Sequence, residues 1–503
     1  MTAILLAIDQ GTTGSTAAFF DYESLEILAN AKVEFPQIFP SPGLVEHSPD
    51  DIWRSVLAAI SQATELMGHE HPGRNLTQLR AIGITNQRET VVPWNRHTGE
   101  VVGNAIVWQD RRTAAQCDSM KSDGGLRRNI LERTGLVCDP YFSATKMAWI
   151  LKNNATAKRL AQKGDLILGT VDSWILYKLT GGVVVATEHT NASRTMLYDL
   201  REGSYSQELS ACFEVPLSAL PEIHPSSFHF GVTRGVGVLP DGVPITGVLG
   251  DQQAALFGQN CRAAGEAKIT YGTGAFLLMH TGDQPMVSDS GLLATVAAST
   301  AQGRTFAVEG AAFIAGAAVQ FLRDNFAWIA NSAESETMAR ALPRDENLLF
   351  VPALAGLAAP YWNPNAKGVL FGMTRGSRKG QIIRAVLESI ALQNVQLLHL
   401  MEQVSGVRLR HVGVDGGASR NNLLMQFQAD MLRICLARPE NIETTAKGAV
   451  MAARLGLDPS TQWSSRENGV SFAPQMEEGE SGTILRRWLA AVDAVNAFYS
   501  SMM

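Results

Sequence analysis

Three short loops in this sequence could cradle a phosphate. Gly11-Thr12-Thr13-Gly14 follows the apolar run Ala3 to Ile8 and Asp9. Gly272-Thr273-Gly274 follows Ala267 to Tyr271, and Gly416-Gly417 follows His411 to Asp415. Glycine lets backbone N–H groups converge on an anion without obstruction, and threonine hydroxyls add donors. Taken singly, the first two loops also read as plain hairpins and the third as a strand-to-helix turn. Asp9, where the first strand ends, is the candidate for Mg²⁺, a hard cation that takes carboxylate, water and phosphate oxygens.

Charged residues gather where other strands end. Asn86-Gln87-Arg88-Glu89 follows Ala81 to Thr85, Gln109-Asp110-Arg111-Arg112 follows Ala105 to Trp108, and Gly250-Asp251-Gln252-Gln253 closes Ile245 to Leu249. Strand ends are where α/β proteins build sites. The pattern lacks GxxxxGK[ST], a GxGxxG opening a βαβ unit, and HExxH. A P-loop, a dinucleotide site and a zincin site are therefore not expected. His69 and His71 sit in a polar, exposed stretch.

Strand and helix patterns alternate along the chain, which predicts an α/β fold. The first two apolar runs predict a hairpin through residues 11–14. A helix is expected from about Asp50 to Met67. Ser48 would cap it, Pro49 would sit at its first position, Asp50 and Asp51 suit its positive end, and Gly68 would stop it. Gly310 to Leu322, the best candidate for a membrane span, is broken by Gly316 and Gln320, falls short of the ~18 residues a span needs, and reads as a buried helix. Asn421 to Leu432 reads as a helix. The echo between the early and late Gly/Thr loops suggests two related domains that meet near residue 258.

These segments carry a resemblance over nearly the whole chain. Asp9-Gln10-Gly11-Thr12-Thr13, Gly83 to Thr90, Asn104 to Gln109 and Asp139-Pro140-Tyr141-Phe142-Ser143 with Lys146 and Trp149 occur in the order seen in FGGY carbohydrate kinases. So do Gly250 to Gly258, Tyr271-Gly272-Thr273-Gly274, Pro360-Tyr361-Trp362 and Asp415-Gly416-Gly417. The resemblance implies two actin/hexokinase-like (RNase H-like) domains, 1–258 and 259–503, with the active site in the cleft between them. Arg88-Glu89 resembles the glycerol-phosphorylating branch, where the xylulose branch has Met-His-Gly.

Carried over residue by residue, the resemblance implies that Arg88, Glu89, Tyr141, Asp251 and Gln252 hold glycerol, with Trp108 and Phe276 walling its carbon face. Asp251 would be the general base. Thr12, Thr13, Gly14, Thr273, Gly316, Gln320, Gly417 and Asn421 would contact ATP, and Asp9 would place Mg²⁺. A homodimer or homotetramer is implied by analogy. The pattern departs in two places. Gly14-Ser15-Thr16 stands where many relatives have Ser-Ser-Arg. Gly235 to Pro244 lacks the Arg of the sugar-bisphosphate loop and the phosphorylatable His of other relatives, so neither form of regulation is expected. A kinase for another small polyol or triose shares these motifs. A silent actin-like regulator would have lost Asp251, Arg88 or Glu89, and all three are present.

The bulk properties agree. In 503 residues, 46% hydrophobic and 18% charged, large cores can form, and a net charge of -6 offers no general attraction to nucleic acid or an anionic membrane. Arg408 to Arg410 and Arg486-Arg487 read as solvated faces. Five scattered cysteines without a CxxC pair suggest reduced thiols in a cytoplasm. The apolar start, Met1 to Ile8, lacks a basic flank and reads as a strand rather than a signal peptide.

Overall fold

The computed structural model describes residues 3–462 and 469–501; Met1, at the head of the opening apolar run, lies outside them. In β1 (Ile4–Gln10), Ile4, Leu6 and Ile8 point to one face of a sheet and Leu5 and Ala7 to the other, and all five are fully buried. A strand buried on both faces requires a layer of helix on each. β1 turns back antiparallel into β2 (Gly14–Asp21), the expected hairpin, and β2 pairs with β3 (Ile27–Glu34).

α1 (Pro49–Glu70) covers the Ile4 face with Ile52, Val56, Ile60, Ala63 and Met67. Ser48 caps it as expected: its Oγ accepts from the Asp51 amide at 3.2 Å. The helix continues through Gly68 to Glu70. Burial of Met67 in the core offsets the roughly 1 kcal/mol that glycine costs inside a helix.

β4 (Leu79–Asn86), α2 (Ser143–Asn153), β5 (Ser227–Val232), β6 (Pro244–Gly250) and α3 (Asp251–Gly258) complete this half. The first sheet runs β5-β6-β4-β1-β2-β3. Its register places Gln10, Asn86 and Gly250 side by side at the carboxyl ends of three parallel strands. A second, four-stranded sheet (Glu46–His47, Ala105–Ile106, Val91–Asn95, Leu166–Thr170) takes the chain that leaves β4. The strand expected over Ala105 to Trp108 stops at Ile106. Val107 bonds to Val45, and Trp108 turns off the sheet to bond Thr90 Oγ1.

The second half repeats the plan. β7 (Glu266–Tyr271) and β8 (Ala275–Gly282) form an antiparallel hairpin, followed by β9 (Leu293–Thr300) and β10 (Gly303–Ala312). Then come α4 (Gly316–Asp324), α5 (Lys379–Ser405), β11 (His411–Gly416), α6 (Asn422–Leu432), β12 (Leu436–Pro439), α7 (Thr444–Leu457) and β13 (Gly469–Phe472). The sheet order is β9-β10-β8-β7-β11-β12-β13, with β11 parallel to β7 as β4 is to β1. The run Gly310 to Leu322 is not one helix. Its first three residues pair with β8 (Ala275↔Ala312, Leu277↔Gly310), and α4 starts only at Gly316.

α7 leaves its own sheet and packs on the Leu5 face of the first. It does so at backbone distance. A Cβ on Gly83 of β4 would lie 2.2 Å from Ala449 O, and one on Gly448 would lie 1.9 Å from Ala254 O of α3. Alanines 446, 449, 452 and 453 fill the rest of that contact. This crossing ties the two sheets together.

Gly448→Ala should therefore lower stability by about 2 kcal/mol or more, whereas Gly68→Ala, whose Cβ meets nothing within 4 Å, should raise it by about 0.5–1 kcal/mol. Thermal midpoints of the two variants moving in opposite directions is the expected result; two equal shifts would deny the close crossing.

Candidate active site

Just past the row Gln10, Asn86, Gly250 come the residues that the resemblance singles out. Arg88 and Glu89 leave β4, and Asp251 leaves β6 as the first residue of α3. Glu89 adopts φ 61°, a left-handed conformation costing roughly 1–3 kcal/mol in a residue with a side chain. Its carbonyl receives Ser143 Oγ at 2.9 Å, which helps hold that turn.

Arg88 is 3% exposed and Glu89 1%. The Arg88 guanidinium meets Glu309 of β10 fork-to-fork, Nη1 to Oε2 at 2.6 Å and Nη2 to Oε1 at 2.9 Å. Nη1 also donates to Gln253 Oε1 (3.2 Å) and Nη2 to the Tyr141 hydroxyl (3.3 Å). Nε faces Asp251 Oδ1 at 3.2 Å and Glu89 Oε1 at 3.8 Å. A second buried arginine, Arg194, donates from Nε to Glu89 Oε1 (2.7 Å) and from Nη2 to Glu309 Oε1 (3.2 Å). Burial opposes the charge on Glu309, but Arg194 and Arg88 outweigh it and hold its carboxyl down at about 2.

The other expected polyol contacts lie around this cluster. Lys146 of α2 donates to the carbonyls of Pro140, Tyr141 and Phe142 at 2.5, 2.7 and 3.0 Å, and so fixes the segment that carries Tyr141. The rings of Tyr141 and Trp108 meet edge to face at 5.6 Å. Trp108 Nε1 reaches the Thr12 hydroxyl at 3.0 Å, joining the pocket to the first Gly/Thr loop. Gln252 gives its Oε1 to buried Lys268 Nζ at 2.5 Å, and Lys268 also donates to Thr270 Oγ1 at 2.8 Å. With its oxygen engaged, the Gln252 amide keeps its N–H donors for other partners. Burial draws the Lys268 ammonium down to about 8, against the pull of Asp415, Asp251 and Glu309. Phe276 is half-buried on β8, in register with Thr270 and Ala311.

Models of the FGGY family of carbohydrate kinases match this chain twice, the N-terminal domain over residues 4–258 and the C-terminal domain over 267–457. The chain belongs to the FGGY family of carbohydrate kinases. A glycerol kinase of Trichlorobacter lovleyi is 47% identical over 498 residues, 98% of each chain. One of Alkalilimnicola ehrlichii is 47% identical over 490 residues, 97% of each. A crystal structure of Plasmodium falciparum glycerol kinase with ADP aligns at TM-score 0.91 with 31% identity, covering 98% of both chains. The expected two-domain α/β fold is borne out.

In this FGGY kinase the two Gly/Thr loops are built alike. The Gly11 amide bonds Gly14 O at 2.9 Å, and the Gly272 amide bonds Gly274 O at 2.8 Å. Thr13, Thr273 and Gly417 are exposed, and a Cβ on Gly417 would meet nothing within 4 Å. Other glycines of the set are held by packing. A Cβ on Gly14 would lie 2.8 Å from Val33 O, and one on Gly316 would lie 2.6 Å from Gly272 O, which already accepts the Gly316 amide at 3.0 Å. Asn421 caps α6 by accepting from the Leu424 amide at 3.0 Å. Gln320 is exposed on α4.

Sequence reading missed Glu309, Arg194 and Lys268. Glu309 and Arg194 lie far in sequence from the residues they serve, and Lys268 serves Gln252 sixteen residues before it, so no local motif marks them. The available signals were a Glu and a Lys within otherwise apolar strand patterns, Phe306-Ala307-Val308-Glu309-Gly310 and Ala267-Lys268-Ile269.

Asp9 suits a divalent cation. It lies on β1, opposite Thr85 of β4, and Leu249, just before Asp251, pairs with Thr85 from the other side. Burial and then the charges of Asp251 and Glu443 push its carboxyl up to about 7, against Lys32. A carboxylate so short of positive charge matches the few-carboxylate donor set of Mg²⁺. Among the described residues no cluster of three or more His, Cys, Asp or Glu forms a metal cage, no helix is long and apolar enough to cross a membrane, and no disulfide joins the five cysteines.

The sign of the Asp9 shift gives a test. The folded protein keeps the proton up to about pH 7, whereas the unfolded chain releases it near pH 4, so stability falls as pH rises between the two. In metal-free buffer at pH 8, Asp9→Asn should be more stable than the natural chain by roughly 1–3 kcal/mol. At pH 4 the difference should vanish. Denaturant midpoints at both pH values measure it, and a gap of equal size at both would contradict the assignment.

Proposed function

We propose that this enzyme transfers the γ-phosphoryl group of ATP to a terminal hydroxyl of glycerol, giving sn-glycerol 3-phosphate and ADP. The observation that carries the reading is the placement of Asp251. It stands where β6 ends, 3.2 Å from Arg88 Nε, within a wall built by Arg88, Glu89, Tyr141 and Gln252. The polar groups of that wall suit the hydroxyls of a triol. A site that pairs hydroxyls discriminates against analogues that leave its own groups unpaired.

In the proposed reaction Asp251 accepts the proton of the attacking hydroxyl, whose oxygen forms a bond to the γ-phosphorus as the bond to the β-phosphate oxygen breaks. Trp108 and Phe276 flank the carbon skeleton. The 3.3 Å bond between Tyr141 and Arg88 is long enough for a substrate hydroxyl to replace. Thr12, Thr13 and Gly14 on one side, and Thr273, Gly316, Gln320, Gly417 and Asn421 on the other, meet the nucleotide. Asp9 would hold Mg²⁺, which when bound would supply charge neutralisation on the phosphates. The domains 1–258 and 259–503 close on the substrates and exclude water. The relatives of similar length named glycerol kinase support the substrate choice.

Asp251→Ala should leave Mg-ATP binding intact and lower glycerol-dependent ADP release by about 10²–10⁴-fold, the range for loss of a general base. A coupled ADP assay with product analysis measures it. Turnover of dihydroxyacetone or erythritol but not glycerol would replace the substrate, and an unchanged rate in the variant would remove Asp251 from the role.

A further inference from the structure

Glu309 lies in β10, its neighbours across the sheet being Leu278 on β8 and Leu293 on β9, and it is 1% exposed. A carboxylate in that setting is unfavourable by several kcal/mol unless it is paired and hydrogen-bonded. Its partners are Arg88, on the loop leaving the first sheet, and Arg194. For stability alone, well-packed apolar side chains in place of such an ion pair are often as good or better. The pair therefore calls for an account in terms of geometry.

That geometry is specific. The two Glu309 oxygens occupy one proton on each Arg88 Nη, and Gln253 and Tyr141 take the other two. All four Nη protons are engaged, and the fork contact sets the plane of the guanidinium. Only the Nε edge is left, and it faces Asp251 at 3.2 Å. Arg194 holds Glu309 and Glu89 together from beneath, with its guanidinium carbon 5.5 Å from the Tyr141 ring centroid and 5.2 Å from that of Phe142.

We infer that Glu309 is a positioning residue for the polyol: from the second sheet it fixes the Arg88 fork, so that Nε is presented to Asp251 and Nη2 to Tyr141. The inference rests on the polyol-kinase reading above but not on glycerol as the particular substrate. It makes the polyol pocket a joint product of both sheets, whereas the nucleotide loops do not depend on this contact. Glu309→Gln keeps the shape and loses the charge. Glu309→Asp keeps the charge and shortens the reach.

The test compares KM for polyol and for ATP in the natural chain and both variants, after screening the natural chain on glycerol, erythritol and dihydroxyacetone. Glu309→Gln should raise KM for the accepted polyol by about 10–100-fold and leave KM for ATP within about twofold, with Glu309→Asp intermediate. Equal rises in both constants, or no rise in either, would overturn the inference. If the natural chain rejects glycerol but accepts another polyol, the substrate reading falls and the same comparison decides Glu309. Should the variants not fold, or the natural chain phosphorylate none of the three, nitrogen-15 NMR of arginine-labelled natural protein decides. A fixed fork gives separate Nη proton signals for Arg88, identified by their loss in Arg88→Lys, because rotation about the Nε–Cζ bond is blocked. One averaged signal would overturn the inference.

Discussion

The site depends on keeping Arg88 charged inside the protein. A guanidinium does not give up its proton, so burying it at 3% exposure demands anions and acceptors on every edge. The chain meets that demand from far-separated places: Glu309 from β10, Asp251 from the end of β6, Gln253 from α3, and Tyr141 from the segment before α2. Each of these lies within a structural element or beside one. Arg88 can be satisfied only if two sheets, one helix and the segment before α2 arrive together, so its burial links the fold to the chemistry.

The two sheets can arrive together because small residues let the backbones approach. α7 comes from the second half of the chain yet lies on the first sheet, against Gly83, with Gly448 against α3. The contact includes large side chains, Leu5, Leu249, Phe257 and Met451, around the small ones. It gains from many short van der Waals contacts and from the bond of Thr246 Oγ1 to Ala453 O at 2.7 Å. α3 carries Asp251 at one end and meets α7 along its length, so packing in the alanine-rich layer sets the position of the carboxylate that begins the helix.

Much of this was legible in the sequence, because the signals were local. The opening hairpin, the Ser48 cap and the strands leading to Asp9, Arg88 and Asp251 each depend on residues a few positions apart. What escaped was non-local. Gly310 to Leu322 is apolar apart from Gln320, and only its pairing with β8 shows that it begins as strand. Gly68 looks like a stop until Met67 is seen in the core. Glu309 looks like an anomaly until Arg88 appears opposite it, 221 residues away in sequence. Gly14 sits in a Gly/Thr loop and Gly316 is an ATP contact only by resemblance, and the carbonyls of Val33 and Gly272 leave neither room for a side chain.

The departure at Thr16 fits the same electrostatics. Thr16 pairs with Asp9 on one side and with Lys32 on the other, so the three residues form one row across β1, β2 and β3. Lys32 is exposed, and its Cε lies 3.3 Å from where a Gly14 side chain would begin. Its charge opposes the rise in the Asp9 carboxyl. The row thus holds a cation one strand beyond Thr16, where the resemblance to FGGY kinases implies an arginine. From there it is a flexible ammonium that reaches the loop over a glycine, rather than a planar fork built into the hairpin. A point charge of this kind opposes the rise that burial and the charges of Asp251 and Glu443 cause in the Asp9 carboxyl.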